Sequence, residues 1–377
     1  MHHRKAQRDA LLRKLTAGIN VQMPAPRRIG KTWTINRLAG DLTAAGWIAV
    51  EVDVQGIRTT DSFARILCKR IEAQMPSKER FKTHLLQRLK NLTDGHWGDN
   101  PLDVLGKIDP IEFAETLVAA LDDDGRPAAI IIDEVAYFFL HLAEQNAKDA
   151  NAFAYQMRAM QGRYKNVRWL LTGSIGLDPV ARRYGLQGAF VDLETFILDP
   201  FTAAEARSFL RDGAIQEALT HKFDASDEDF DYLFQELGWL APFYLKLVAN
   251  AVRPSGYAQT NGNAIAGRQD FDDAFTTLLQ PNRRSEFAIW REHIDKNLPA
   301  SDSRLASEIL SRISQDSDGE TFDTLLASLA TNAEPKSRGE LRDIIAILVN
   351  DGLVSKVDDR YRFRSGLVRR YWKEYEA

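Results

Sequence analysis

The sequence predicts an α/β protein in which a parallel sheet covered by helices is followed by a helical domain and a C-terminal winged helix. In residues 1–200, apolar runs rich in β-branched residues alternate with segments of helical periodicity. From Phe201 onward the strand pattern stops and helical patterns dominate. With 377 residues and 44% hydrophobic residues, the chain is long enough for two or three domains with real cores.

Five apolar runs predict the strands of the sheet. They are residues 19–23, 47–54, 128–132, 167–172 and 190–198. The alternation of these runs with helical segments is typical of a parallel sheet with helices on its faces. The longest interval, residues 75–127, contains a predicted helix over 79–92 and a loop over 93–101. We interpret this interval as an insertion or lid, and the whole of residues 1–200 as one domain.

The middle part of the chain is predicted to be a small helical domain over residues 201–297. Helical patterns cover residues 201–210, 227–237, 242–252, 270–279 and 285–297. Residues 253–267 interrupt them with turn-forming residues and little apolar content, which predicts a loop or linker.

The last part, residues 298–377, has the order helix, helix, helix, hairpin. Amphipathic patterns cover residues 305–313 and 322–329, and Ser337 and Glu340 form a capping box before a helix over 341–350. Two alternating runs, 353–357 and 360–364, flank the two-residue turn Asp358–Asp359 as in a hairpin. This order predicts a winged helix.

Composition excludes several classes of protein. A single cysteine, Cys68, excludes an internal disulfide, and the scattered histidines do not predict structural zinc. No apolar run is long enough to span a bilayer and no signal peptide is visible, so we expect a cytoplasmic protein that does not contact membranes. The net charge is −4, yet residues 336–373 contain ten Lys/Arg against five Asp/Glu, so the C-terminal part is basic.

Residues 25–32 read Ala-Pro-Arg-Arg-Ile-Gly-Lys-Thr between the first apolar run and a helical pattern. A phosphate-binding loop requires glycine, four free positions and Gly-Lys-Ser/Thr, and only Ala25 departs from this pattern. Backbone N–H groups of such a loop surround phosphates, Lys31 reaches the β and γ phosphates, and Thr32 binds Mg²⁺. Ala25 adds only a methyl group, which is tolerated where its φ is negative. The alternative, a chance turn, is disfavoured because Lys31 and Thr32 are both in place. The predicted nucleotide contacts are Ala25, Pro26, Arg27, Arg28, Ile29, Gly30, Lys31, Thr32 and Trp33.

Two carboxylates, Asp133 and Glu134, end the third apolar run. Ligands of α/β proteins lie at the carboxyl ends of strands, so Asp133 fits a partner of Mg²⁺ and Glu134 fits the base that orients an attacking water. The fourth run ends near Thr172 and Ser174, and either hydroxyl is a candidate sensor of the γ phosphate, with a plain turn as the alternative. A serine hydrolase is rejected because Thr172 occupies the first glycine position of a nucleophile elbow.

Four arginines are candidates for phosphate contact. Arg182 and Arg183 follow the fourth run, and an arginine presented to the γ phosphate accelerates hydrolysis by roughly 10³ to 10⁵. Arg27 and Arg28 lie inside the loop and are candidates to contact phosphate, a neighbouring domain or an acidic surface. An ordinary surface role is the alternative for all four.

With these motifs, the chain resembles the prokaryotic and archaeal ATPases within the AAA+/STAND class of P-loop NTPases. The resemblance rests on residues 26–32, 51–54, 132–134 and 171–174. Residues 198–206 are similar to the start of the family's helical lid. Residues 237–245 are similar to its Gly/Pro motif, whose proline, Pro242 here, approaches the nucleotide. Ala25 and Leu240 stand where the family commonly has glycine.

The resemblance implies binding of ATP and Mg²⁺, slow or regulated hydrolysis and nucleotide-dependent domain movement. The leading hypothesis is an ATP-driven switch whose output is binding of an effector protein or complex subunit, as in defence and signalling ATPases, or of DNA, as in initiator and transposition-helper ATPases. The basic C-terminal part favours DNA, although winged helices of this class often pack only on protein. A homo-oligomer is left open. The alternatives are a scaffold that binds nucleotide without hydrolysis, a DNA-binding adaptor and, less favoured, a nucleotide kinase.

Overall fold

The computed structural model describes residues 4–75, 78–90, 101–105, 107–257, 264–329 and 337–377. Contacts divide the chain into two compact units. The N-terminal unit comprises Arg4–Ala25 and Lys31–Leu198, and the C-terminal unit comprises Asp199–Ala377 together with Pro26–Gly30. The tip of the predicted phosphate loop is therefore grouped with the C-terminal unit. The loop predicted over residues 93–101 lies, apart from Pro101, outside the described residues.

The N-terminal unit is built on a five-stranded parallel sheet with the order β2-β3-β4-β1-β5. The strands are β1 (Val21–Pro24), β2 (Ile48–Asp53), β3 (Ala128–Asp133), β4 (Val167–Gly173) and β5 (Glu194–Thr195). All five predicted strands are present, although β5 is reduced to two exposed residues at one edge. The side chains of Ala128, Ile130 and Ile132 on β3 are fully buried, as expected for a strand covered on both faces.

Helices cover this sheet. They are α1 (Lys5–Thr16), α2 (Lys31–Ala44), α3 (Thr60–Gln74), α4 (Lys78–Lys90), α5 (Leu102–Leu105), α6 (Pro110–Asp122), α7 (Val135–Gln145), α8 (Ala147–Arg163) and α9 (Leu177–Tyr184). Asp109 caps α6 by accepting bonds from the N–H groups of Ile111 and Glu112. Phe113 and Leu117 of α6 are fully buried and the helix packs against α3. The last part of the interval interpreted as an insertion is therefore core.

The C-terminal unit begins with helices and a small sheet. These elements are α10 (Ala203–Leu210), α11 (Gly213–Glu217), β6 (Phe223–Asp224), α12 (Asp227–Leu237), α13 (Pro242–Ala251), β7 (Gly256–Tyr257), β8 (Ala264–Ile265), α14 (Arg268–Leu278) and α15 (Ser285–Asn297). Thr202 and Glu205 form a capping box at the start of α10. The loop or linker predicted over residues 253–267 is wrong where β7 pairs antiparallel with β8. Strands of two residues leave no periodic pattern in a sequence.

The unit ends with the elements of a winged helix. They are α16 (Ala300–Ser314), β9 (Glu320–Thr321), α17 (Phe322–Leu329), α18 (Arg338–Asp351), β10 (Val354–Val357), β11 (Arg360–Phe363) and α19 (Gly366–Tyr375). The predicted capping box at Ser337 and Glu340 is present. Asp358 and Asp359 both have positive φ, as in a tight turn of type I′, and join β10 to β11. A domain boundary between residues 297 and 298 stays a prediction. In the described part of the chain, no helix is both long and apolar enough to cross a bilayer.

Candidate nucleotide-binding site

The sheet brings three predicted site residues together at its carboxyl edge. Strand β4 lies between β3 and β1, and α2 begins at Lys31 just after the loop that follows β1. The Lys31 ammonium donates to Asp133 Oδ1 at 2.5 Å and also to Glu134 Oε1. Only 7% of the Lys31 side chain is exposed. A buried cation therefore joins the first residue of α2 to the end of β3.

Glu134 is held in one orientation by its neighbours. Its Oε2 accepts bonds from the backbone N–H and the hydroxyl of Ser174, at 3.1 and 3.2 Å. Its own N–H donates to Asp133 Oδ1 at 2.9 Å. Glu134 has left-handed backbone geometry, with φ 58° and ψ 30°. Strained geometry of this kind costs about 1–3 kcal/mol and is concentrated at functional sites.

Two carboxylates around one ammonium leave the cluster with an excess of negative charge. Burial opposes the charge on Lys31, but Glu134 and Asp133 outweigh it, so the pKa of Lys31 is raised. Burial raises the pKa of Asp133, and the charge of Glu134 adds to this effect, although Lys31 opposes it. The cluster therefore favours an additional positive charge.

Thr172, predicted as a γ-phosphate sensor, lies near the end of β4. Its side chain is 2% exposed, and Oγ1 has no hydrogen-bond partner among the described residues. A buried hydroxyl without a partner is costly unless a ligand or water completes it. The sequence named either Thr172 or Ser174 as a candidate sensor, and in the structure the Ser174 hydroxyl donates to Glu134. A sensor role for either residue stays a prediction. The excess negative charge fits Mg²⁺, and the unpartnered hydroxyl fits a phosphate oxygen of a bound nucleotide.

An alanine at position 25 is tolerated where its φ is negative, and the structure meets this condition. The residue is fully buried, its N–H donates to the carbonyl of Gly173 at 3.1 Å, and its φ is not positive. The left-handed residues of the loop are instead Arg28, with φ 67°, and Gly30, with φ 93°. The missing glycine is therefore not needed at position 25 for backbone conformation.

Arg27 contacts the end of α18. Its Nε donates to Asp351 Oδ1 at 2.8 Å, and its backbone N–H donates to the Asp351 carbonyl at 3.2 Å. The two side chains are 13% and 6% exposed. Such a pair is poorly screened by solvent and is strongly sensitive to loss of one partner.

Arg28 lies in a cage of aromatic rings. Its guanidinium carbon is 3.8 Å from the centroid of Phe243 and 5.2 Å from that of Trp290. It also donates to the carbonyl of Glu286 at 3.3 and 3.4 Å. Burial lowers the pKa of Arg28. Phe243 directly follows Pro242, the first residue of α13, so the segment that resembles the Gly/Pro motif contacts the loop tip within the C-terminal unit.

Other predicted site residues are more exposed. Thr32 and Trp33 are exposed in the first turn of α2. Arg182 and Arg183 are exposed in the last turn of α9, where Arg183 lies 5.7 Å from the ring of Tyr184. A role for either arginine as a finger stays a prediction. Sequence reasoning missed Asp351 and Trp290 because nothing in their local pattern connects them to a phosphate loop. Phe243 lies in the segment over residues 237–245 that resembles the Gly/Pro motif, but only Pro242 was predicted as a contact there.

The basic residues of the winged helix are largely engaged within the unit. Arg364 donates to the carbonyls of Val354 and Val349, both at 3.1 Å, and its burial lowers its pKa. Further contacts join Arg338 to Asp323, Lys356 to Asp359, Arg360 to the Gly319 carbonyl, Arg369 to the Ser314 carbonyl and Arg370 to Glu236. Lys336 lies outside the described residues. Arg338 and Arg370 pair with carboxylates that lie outside residues 336–373, so the count over this segment overstates its excess of positive charge.

Comparisons with known proteins bear on the fold. No family model matches the chain, and no curated protein does. Among solved structures, the chain is similar to the Walker-type ATPase of Pyrococcus abyssi, with a TM-score of 0.66 at 13% identity, over 98% of this chain and 95% of that one. The ORC2 protein of Aeropyrum pernix with ADPNP and ADP gives 0.41 at 14% identity, over 98% and 94% of the two chains. The ORC1 protein of the same organism in complex with DNA gives 0.39 at 14%, over 99% and 92%. The chain therefore has the P-loop ATPase fold with a C-terminal winged helix that its motifs predict.

Proposed function

We propose that this protein binds ATP with Mg²⁺ at the loop over residues 25–32, hydrolyses it, and acts as a switch. The observation that carries the proposal is the buried position of Lys31 between Asp133 and Glu134, at the N-terminus of α2 and the carboxyl edge of a parallel sheet. Both features favour phosphate, the helix through its N–H groups and the sheet edge as the usual ligand crevice of α/β proteins.

Each side chain has a role that its contacts support. Lys31 exchanges its carboxylate partners for the β and γ phosphates when ATP enters. The Thr172 hydroxyl donates to the γ phosphate and thereby gains the partner it lacks. Mg²⁺, for which Thr32 and Asp133 are the candidate ligands, supplies neutralisation of phosphate charge when bound. Glu134, oriented by Ser174, accepts a proton from the attacking water.

The output of the switch is binding of a partner by the C-terminal unit. The winged helix supports either an effector protein or DNA, and its engaged arginines favour the protein. Cytoplasmic location and assembly with further copies of the chain remain part of the proposal.

Calorimetry with a slowly hydrolysed ATP analogue and Mg²⁺ tests the site. Lys31→Ala is expected to weaken binding at least a hundredfold, because it removes the charge that meets the phosphates. Lys148→Ala, an exposed lysine of α8, is the matched control and is expected to bind as the wild type does. Undiminished binding by Lys31→Ala would falsify the loop assignment.

Glu134→Gln separates the switch from the scaffold that binds nucleotide without hydrolysis. The amide keeps the shape of the side chain but cannot accept the proton, so turnover is expected to fall by roughly 10² to 10⁴ while binding persists. Phosphate release is the measurement. A wild type that binds ATP but never turns it over, even with protein partner and DNA present, supports the scaffold.

A further inference from the structure

We propose that Asp351 is a positioning residue for nucleotide: through Arg27 it anchors the tip of the phosphate loop and so sets the affinity of the site for ATP. Four residues form what we call the loop anchor. Asp351 holds Arg27, and Glu286, Phe243 and Trp290 hold Arg28. The predicted effect of Asp351 on ATP affinity rests on the proposed function. The contact between Asp351 and Arg27 does not depend on that function.

Asp351 makes two different kinds of contact with one residue of the loop. Its carboxylate pairs with the Arg27 side chain and its carbonyl accepts the Arg27 N–H. The two contacts fix both the side chain and the backbone of residue 27. Gly352, with φ 89°, ends α18 directly after this residue, and a Cβ there would lie 2.5 Å from Cβ of Pro26. The end of α18 therefore fits closely against two successive loop residues.

The cage around Arg28 holds an unfavourable backbone conformation. Left-handed geometry is rare for residues other than glycine and persists where surrounding contacts determine it. Here the two rings and the Glu286 carbonyl bind the guanidinium. A loop held in one conformation before nucleotide arrives loses less conformational freedom on binding, which increases affinity. Arg27 and Arg28 therefore act through the shape of the loop.

The first variant is Asp351→Asn, which keeps the shape of the side chain and the backbone carbonyl but removes the charge paired with Arg27. Glu236→Gln is the matched control, because it removes the charge paired with Arg370 in the same unit without contact to the loop. We expect the Asn variant to raise the KM for ATP about tenfold with kcat unchanged, since only the loop loses order. The control is expected to leave both constants unchanged.

Hydrogen exchange of a peptide spanning residues 24–31, measured without nucleotide, gives a second readout. Faster exchange in Asp351→Asn than in Glu236→Gln is expected. The reversed pair, Arg27→Asp with Asp351→Arg, is expected to recover most of the lost protection. Equal exchange and equal KM in the two single variants overturn the inference. A wild type that binds no ATP overturns the proposed function instead, and loop exchange then still decides whether Asp351 anchors the loop.

Discussion

The carboxylates at the end of β3 and the basic residues of the winged helix are both charged groups that the sequence singles out, but the structure arranges them in opposite ways. Asp133 and Glu134 converge on one buried ammonium, that of Lys31. Arginines of the winged helix instead bind acceptors at separate places, as Arg364 and Arg369 do. The difference teaches that strand ends concentrate charge at one point, whereas a count of basic residues along a segment does not predict a shared site.

Arg364→Met tests the dispersed arginines of the winged helix and has the largest expected effect on stability. It removes the Arg364 donor from the Val354 carbonyl and one of two donors from the Val349 carbonyl, which keeps the N–H of Gly352, and is expected to lower the free energy of unfolding by about 2–3 kcal/mol. Arg338→Met is the control, because that side chain is 57% exposed, and an exposed ion pair contributes about 0–1 kcal/mol. Urea unfolding measures both variants. Equal losses in the two would contradict a structural role for Arg364.

Gly352→Ala tests a place where the end of α18 fits closely against the phosphate loop. The new methyl group would meet Pro26 and, at 3.0 Å, Trp239, in addition to the strain of a positive φ. The expected loss of stability is about 2 kcal/mol, against about 1 kcal/mol for Gly185→Ala, which has φ 69° but open space around the methyl group. Thermal unfolding of the two variants gives the difference. A cost no greater than that of Gly185→Ala argues against the close fit.

Asp133→Asn tests the buried cluster at the end of β3 and has the smallest expected effect on stability. Burial raises the pKa of Asp133, so the folded state holds its proton more tightly than the unfolded state does. The stabilisation that the protonated carboxyl group contributes to the folded state is therefore fully present below its unfolded pKa of about 3.9. It is lost as pH rises through the folded pKa. Denaturation at pH 4 and pH 7, without nucleotide, is the measurement. The Asn variant is expected to be more stable relative to wild type at pH 7 than at pH 4, and a difference independent of pH would refute the shift.

The features that the sequence predicted correctly are those with a local cause. The strands follow from short apolar runs, the cap at Ser337 from hydroxyl and carboxylate spacing, and the hairpin from Asp358–Asp359. These depend on interactions within a few residues. The predicted P-loop ATPase fold is confirmed. It could be predicted because its motifs occur in the order and context that the fold requires.

What the sequence did not predict depends on pairing between distant residues. Arg27 and Asp351 are 324 positions apart, and no local pattern connects them. The Ser174 hydroxyl donates to Glu134, whereas the Thr172 hydroxyl has no partner among the described residues, and this difference follows from the three-dimensional arrangement and not from the local sequence. The short strands β7 and β8 are held by their partners and not by their own composition.

The grouping of Pro26–Gly30 with the C-terminal unit has a consequence for fragments of this protein. A chain cut at the predicted domain boundary, residue 200, would contain every position of the phosphate motif. It would lack Asp351, Phe243 and Trp290, the residues that hold the motif's two arginines. A fragment defined by motif boundaries alone would therefore keep both arginines of the motif and lose the side chains that they contact in the whole chain.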